Sequence, residues 1–325
     1  PDFVRAFTNV DWKLTGMQTL AGLLTGIATA TVIGGVIPIL ESTFRITTDI
    51  SWVEMSDLNH PLLKRLTLEA PGTYHHSLCV ANLSEAAAEA IGANATMCRV
   101  CSYFHDIGKL SKPEYFIENI AENHNPHDEL TPTMSALVII AHVKDGVDIA
   151  VKNKLATEIV EVIEQHHGDS LVYYFYRRAI EQQNELLDQI EDGKGGDEDV
   201  KEVREDGFRY PGPKPQFRES GIISLADAVE SATRSLQKPT PRKIVQTIDD
   251  ICFSRIKDGQ LDDCRLTLQE ISVIKKSFNS TLRSMLHNRI SYPKDDSDLE
   301  MKTKKKKKTV SREKRAGKKT GVLLP

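Results

Sequence analysis

The chain has 325 residues, enough for one large domain or two with a sizeable core, and its low aromatic content of 6% beside many Ala, Leu and Ile suits a helical protein. Its formal charge of −4 hides an uneven spread, because residues 302–319 alone carry eleven Lys/Arg against one Glu, so the mean charge excludes no class of partner. The five cysteines are odd in number and lie mostly in apolar helical patterns, and Cys98 and Cys101 lack the second Cys/His pair of a zinc site, which indicates reduced core thiols rather than a disulfide or zinc framework.

Pro1 is not an initiator residue, so sequence upstream of it is expected, with residues 1–13 forming a juxtamembrane segment. Residues 14–40 carry no charged side chain, a run longer than the roughly 20 residues that cross a bilayer. Small residues within it, among them Gly26, Gly34 and Gly35, favour packing against other membrane helices. Residues 41–57 have the β-branched, polar texture of a connector, and a short amphipathic helix follows, entered at His60 and closed by Ala70-Pro71-Gly72. Thr73-Tyr74-His75-His76-Ser77 opens a segment of helical apolar periodicity, and Asn94 can cap a helix that runs through Cys101 to Ser102-Tyr103-Phe104-His105-Asp106-Ile107-Gly108-Lys109.

Residues 112–125 read as an irregular lid in which His124 and His127 face solvent or substrate. Thr131-Pro132 starts a helix that carries His142, and the apolar face of 156–162 leads to the pair His166-His167. From 188 to 218 the chain reads as a flexible acidic insert, too polar to order itself. Helices over about 226–236, 241–257 and 268–287 follow, the first of them carrying Asp227. There is no internal repeat and no glycine-rich nucleotide loop.

His76, His105, Asp106, His142, His166, His167 and Asp227 each interrupt or end an apolar face. A buried imidazole or carboxylate needs a partner, and several facing one another from different helices most economically share a metal. This ordered set resembles the ligands of the HD-domain metal-dependent phosphohydrolases. The text around it, Ala70-Pro71-Gly72-Thr73-Tyr74-His75-His76-Ser77, Asn125-Pro126-His127-Asp128 and Leu225-Ala226-Asp227-Ala228-Val229-Glu230, is similar to one branch, the membrane-anchored PgpH-like phosphodiesterases that hydrolyse cyclic di-AMP.

The resemblance covers about residues 41–287. It implies an all-α HD-domain helical bundle over 58–290 with a dinuclear metal site, preceded by one transmembrane helix that would be the last of a seven-helix membrane region. It places His76, His105 and Asp227 on one ion, His142, His166 and His167 on the other, and Asp106 as the bridge. Asp106 and Lys109 are the implied catalytic residues, Lys109 neutralising charge on the transferred phosphoryl group, and Asn125, Tyr176 and Arg234 join Lys109 as expected substrate contacts. A nitrogen and oxygen donor set without thiolate suits two divalent transition-metal ions, iron or manganese, better than copper(I) or an iron–sulfur cluster. The implied activity is two-metal hydrolysis of cyclic di-AMP to pApA, at the bacterial inner membrane with the catalytic domain in the cytosol. The resemblance leaves the oligomeric state open, a homodimer among its options.

Three other readings compete. The cyclic di-GMP branch has Gly-Tyr-Pro soon after its His pair, whereas Gly168-Asp169-Ser170-Leu171-Val172-Tyr173 stands here. A nucleotidase or ppGpp hydrolase of the HD type commonly needs fewer histidines, and a catalytically silent nucleotide sensor would not need all seven ligands. Residues 291–325 form a polybasic tail with no fold expected, suited to anionic lipid beside a membrane helix.

Overall fold

The computed structural model describes residues 11–44, 46–120, 125–191, 202–236 and 239–287. The first ten residues, His124, the middle of the expected insert (192–201) and the polybasic tail lie outside the described residues. Among the described residues the structure is all-α, with one isolated bridge between Leu171 and Arg209. One compact unit extends to Leu282; of the second, which begins at Arg283, only the end of the last helix is described.

Helix α1 (Trp12–Phe44) holds the uncharged run, is long and apolar enough to cross a membrane, and is exposed along most of its described length, while Glu41 near its end accepts hydrogen bonds from Thr48 and Ser51. The expected connector is more ordered than its polar texture suggests, because it contains α2 (Asp49–Met55), capped by Thr48 and anchored through buried Trp52. Helix α3 (Pro61–Glu69) is capped by His60, whose Nδ1 accepts the Leu62 amide at 3.3 Å, so that imidazole serves the helix entry. Next come α4 (Pro71–Ile91), started by a proline in its first turn and stopped by Gly92 in the left-handed region, and α5 (Ala95–Phe104), capped by Asn94.

After α5 the chain tightens into the 3-10 turn Ile107–Ser111, then reaches α6 (Pro132–Lys152) and α7 (Thr157–Gln165). Helices α8 (Tyr173–Glu191), α9 (Arg218–Arg234), α10 (Pro241–Lys257) and α11 (Leu268–His287) complete the bundle. Helix α9 is central: residues 220–227, 229 and 230 are all buried, so it is enclosed by its neighbours nearly all round, with Ile222, Ile223, Leu225, Ala226 and Val229 as its apolar part. Leu63, Leu83, Phe104, Ile107, Ile159 and Ile163 are among the largest fully buried side chains of the core. The cysteines all lie in this core as free thiols.

One glycine fixes a close approach. A Cβ on Gly108 would overlap the His142 carbonyl and crowd the Gly146 amide, so the turn behind Asp106 lies directly against the backbone of α6, and only glycine fits there. The expected insert is narrower than its composition indicates. Residues 188–191 continue α8, and beyond 201 the chain returns to bury Phe208 against Phe175 and Ala136 and to bury Tyr210. Two aromatic side chains supply the apolar area that the acidic residues cannot.

Candidate metal centre

The seven candidate ligands converge from five helices and the turns that end them. His76 lies in α4, His142 in α6 and Asp227 in α9; His105 ends α5, with Asp106 next in the chain, and His166-His167 ends α7. Their donor atoms form two groups, Asp106 with His142, His166 and His167, and His76 with His105 and Asp227, and within each group the atoms lie within 4.8 Å of one another. Asp106 faces both. Its Oδ2 is 3.5 Å from His76 Nε2 and 3.3 Å from His105 Nε2, while its Oδ1 is 3.4 Å from His142 Nε2 and 3.7 Å from His166 Nε2. Asp227 spans the set similarly, with Oδ1 3.0 Å from His76 and Oδ2 3.7 Å from His167 Nδ1.

The imidazoles are aimed from behind. His105, His142 and His166 each direct Nδ1 at the carbonyl three residues earlier, on Ser102, Ile139 and Ile163, at 2.8, 2.6 and 2.7 Å. An Nδ1–H donated there leaves the Nε2 lone pair pointing into the centre, which is how metal-binding histidines are usually fixed. His76 differs: its Nδ1 is 2.5 Å from Glu230 Oε2, a carboxylate one helical turn beyond Asp227 on the same helix.

This set fits divalent metal. His105 Nε2 and Asp106 Oδ1 are buried and have no hydrogen-bond partner, a costly state for polar atoms that a cation between them would relieve. The charge balance agrees with this. Burial would neutralise Asp106, but Lys109 and His105 outweigh it and keep the carboxylate ionised well below its usual range. For Asp227 burial is likewise overcome, chiefly by the hydrogen bond to His76. Burial pushes His142 down to about 4 and His167 well below the ordinary imidazole value, so both imidazoles are neutral. His76 is the contrary case, since its hydrogen bonds to Asp227 and Glu230 overcome burial and hold it up at about 9.

Lys109 is not a solvated helix-end lysine. Its Nζ lies 2.8 Å from Asp106 Oδ2 and 2.7 Å from Glu118 Oε1, over the ring of Phe116, and both carboxylates keep it protonated against burial. Glu118 in turn is held at about 2, because Lys109 offsets the effect of burial, and Thr73 Oγ1 donates to it at 3.1 Å. Beside the histidines opens a cavity of about 660 Å³, lined by Lys109, Phe116, His142, His167 and Asp227 together with Arg209, Tyr210, Ser254, Arg255 and Lys257. Tyr210 stacks on His167 with ring centres 4.3 Å apart.

Three expected substrate contacts are absent from that wall. Asn125 accepts the His127 amide at the start of a 3-10 turn, Tyr176 packs against the cluster around Phe208, and Arg234 lies 3.8 Å from Glu230. His127, expected to face solvent or substrate, is buried between Tyr115 and Phe175 with Nε2 2.8 Å from the Tyr115 carbonyl, a structural histidine. Sequence reasoning passed over Glu118, Glu230, Arg209, Tyr210 and Arg255. Only Glu230 had a usable signal, its spacing of three from Asp227, which places both on one helix face.

A family model described as HD domain matches residues 73–232. The cyclic-di-AMP phosphodiesterase PgpH of Bacillus subtilis (strain 168) is 44% identical over 278 residues, covering 86% of this chain and 37% of the relative. The PgpH of Listeria monocytogenes is 45% identical over 81% of this chain and 34% of its own length, so the chain spans about a third of these relatives. The crystal structure of the L. monocytogenes PgpH HD domain superposes with a TM-score of 0.63 at 44% identity, covering 70% of this chain and all of that one, and a second structure of the domain, in complex with cyclic di-AMP, matches equally well. With the HD-domain model spanning the ligand set and a solved PgpH domain covered end to end, the chain belongs to the HD-domain family, in its PgpH group.

Proposed function

We propose that the chain is the catalytic part of a membrane-attached phosphodiesterase that opens cyclic di-AMP to linear pApA with two divalent ions, iron or manganese. The observation that carries this reading is the position of Asp106, one oxygen toward each group of ligands, beside a cavity within the usual range for small-ligand sites. His76, His105 and Asp227 would hold one ion, His142, His166 and His167 the other, and Asp106 both. Bound there, the ions supply an activated water and positive charge for in-line displacement at phosphorus. Lys109, already protonated and at the cavity wall, would neutralise charge developing on the phosphoryl oxygens, while Asp106 orients the attacking group.

Arg255 and Lys257 line the same cavity and suit a substrate with a second phosphate, whereas Arg209 there is held by Glu205 and Asp258. The adenine preference rests on the likeness to the PgpH relatives. Helix α1 would anchor the domain at the bacterial inner membrane on its cytosolic side. Chromatography of the products from cyclic di-AMP, cyclic di-GMP and ppGpp, with Mn²⁺ supplied, tests the reading. It predicts pApA from the first at a rate well above the other two; preferential release of pyrophosphate from ppGpp, or no product from any of them, would overturn it.

A further inference from the structure

The two halves of the centre are not alike, although each offers three protein ligands and shares Asp106. Around His76 and His105 the surroundings are anionic. Asp227 is a ligand candidate in its own right, and Glu230, 5% exposed, backs His76 at 2.5 Å. Around His142, His166 and His167, Asp227 reaches only His167, with Oδ2 3.7 Å from Nδ1, and among the described residues no carboxylate backs an imidazole as Glu230 backs His76. His142 and His166 rest on neutral backbone carbonyls, and His167 stacks on the Tyr210 ring. The cations nearby do not reverse this contrast. Lys109, on the Oδ2 side of Asp106, is matched by Glu118, and Arg234, 3.8 Å from Glu230, is about a third exposed and screened by solvent.

A carboxylate behind a ligating histidine fixes the ring and raises the basicity of the nitrogen that faces the metal. It also adds negative charge close to the ion, in a buried setting where charge is weakly screened. Glu230 can do both, and it is held rigidly because it shares α9 with Asp227, one turn away. A ligand and the carboxylate that orients its neighbouring ligand therefore come from one helix face.

We propose that Glu230 is a positioning residue that makes the two metal positions unequal: the His76–His105–Asp227 position takes its divalent ion first and holds it more tightly than the His142–His166–His167 position. This inference rests on the dinuclear reading above. It does not depend on which nucleotide is cleaved.

Titration of the metal-free full chain with Mn²⁺, counting free ion by its electron paramagnetic resonance signal, tests it directly. The wild-type chain should bind two ions in resolved phases. Glu230→Gln, which keeps a hydrogen-bond acceptor but removes the charge, should weaken the tighter phase by about tenfold, and Glu230→Ala by up to about 100-fold. His166→Ala should delete the weaker phase and leave the tighter one in place. Thermal unfolding of each metal-free variant reports whether the fold survives, and the titration is read on variants that unfold as cooperatively as the wild type. Two ions bound with the tighter phase unmoved in Glu230→Gln, or lost in His166→Ala, would overturn the assignment while leaving a dinuclear centre. Fewer than two ions on the wild type would overturn the dinuclear reading and this inference together.

Discussion

Asp106→Asn is expected to lose both ions and nearly all turnover. The substitution preserves shape, so its effect isolates the negative charge shared between the two groups of imidazoles. Each Asp106 oxygen faces a different pair of histidines at 3.3–3.7 Å, one pair from each group of candidate ligands. Metal content measured by emission spectroscopy should fall from two ions per chain to below one. Turnover should drop by more than the ~100–1,000-fold lost with a single preorganised transition-state contact. Part of the effect will fall on stability, because Lys109 is left with Glu118 alone and His76 and His105 lose a buried anion. Breaking a buried pair in this way costs about 3–5 kcal/mol, so the variant should also melt at lower temperature. Retention of two ions with unchanged affinity would show that Asp106 is not their bridge.

Lys109→Met separates charge stabilisation from metal binding. Lys109 touches Asp106 and Glu118 and none of the histidine nitrogens, so the variant should keep two ions. Turnover should nevertheless fall by about 100–1,000-fold, with the loss in kcat rather than KM if the ammonium acts on the transition state. The single variant leaves Glu118 buried without its cation, which confounds catalysis with stability. Lys109→Met combined with Glu118→Gln removes the stranded charge. That pair should recover most of the lost melting temperature and none of the lost turnover. Recovery of turnover in the double variant would mean that Lys109 serves only to neutralise Glu118.

The metal-facing half of the centre was legible in the sequence because each ligand breaks a pattern. His142 and Asp227 interrupt locally apolar stretches, residues 136–141 before the one and Leu225-Ala226 with Ala228-Val229 around the other, and His105-Asp106 and His166-His167 stand where apolar runs give out. Burying such groups is expensive, so their presence in those positions already implied partners. The cavity-facing half was not legible. Arg209 and Tyr210 come from a stretch whose composition is that of an exposed loop, and nothing in residue order indicates that Phe208 and Tyr210 would draw it back over His167. Glu118 lies in an irregular segment without periodicity, and its pairing with Lys109 depends on how Thr73 and Asn119 tie that segment to α4. His127 shows the reverse error, because a histidine in a polar loop beside Pro126 gives no sign that Tyr115 and Phe175 will enclose it. Helix α2 was hidden for a similar reason: one buried tryptophan decides its fate, against the β-branched residues around it.

Anomalous diffraction from crystals of the chain loaded with Mn²⁺ tests the central claim most directly, since it counts and locates the ions without reference to any substrate. Two peaks are expected, one on either side of the Asp106 carboxylate, the first ligated by His76, His105 and Asp227 and the second by His142, His166 and His167. A single peak, or two that leave Asp106 outside the coordination of either ion, would contradict the account.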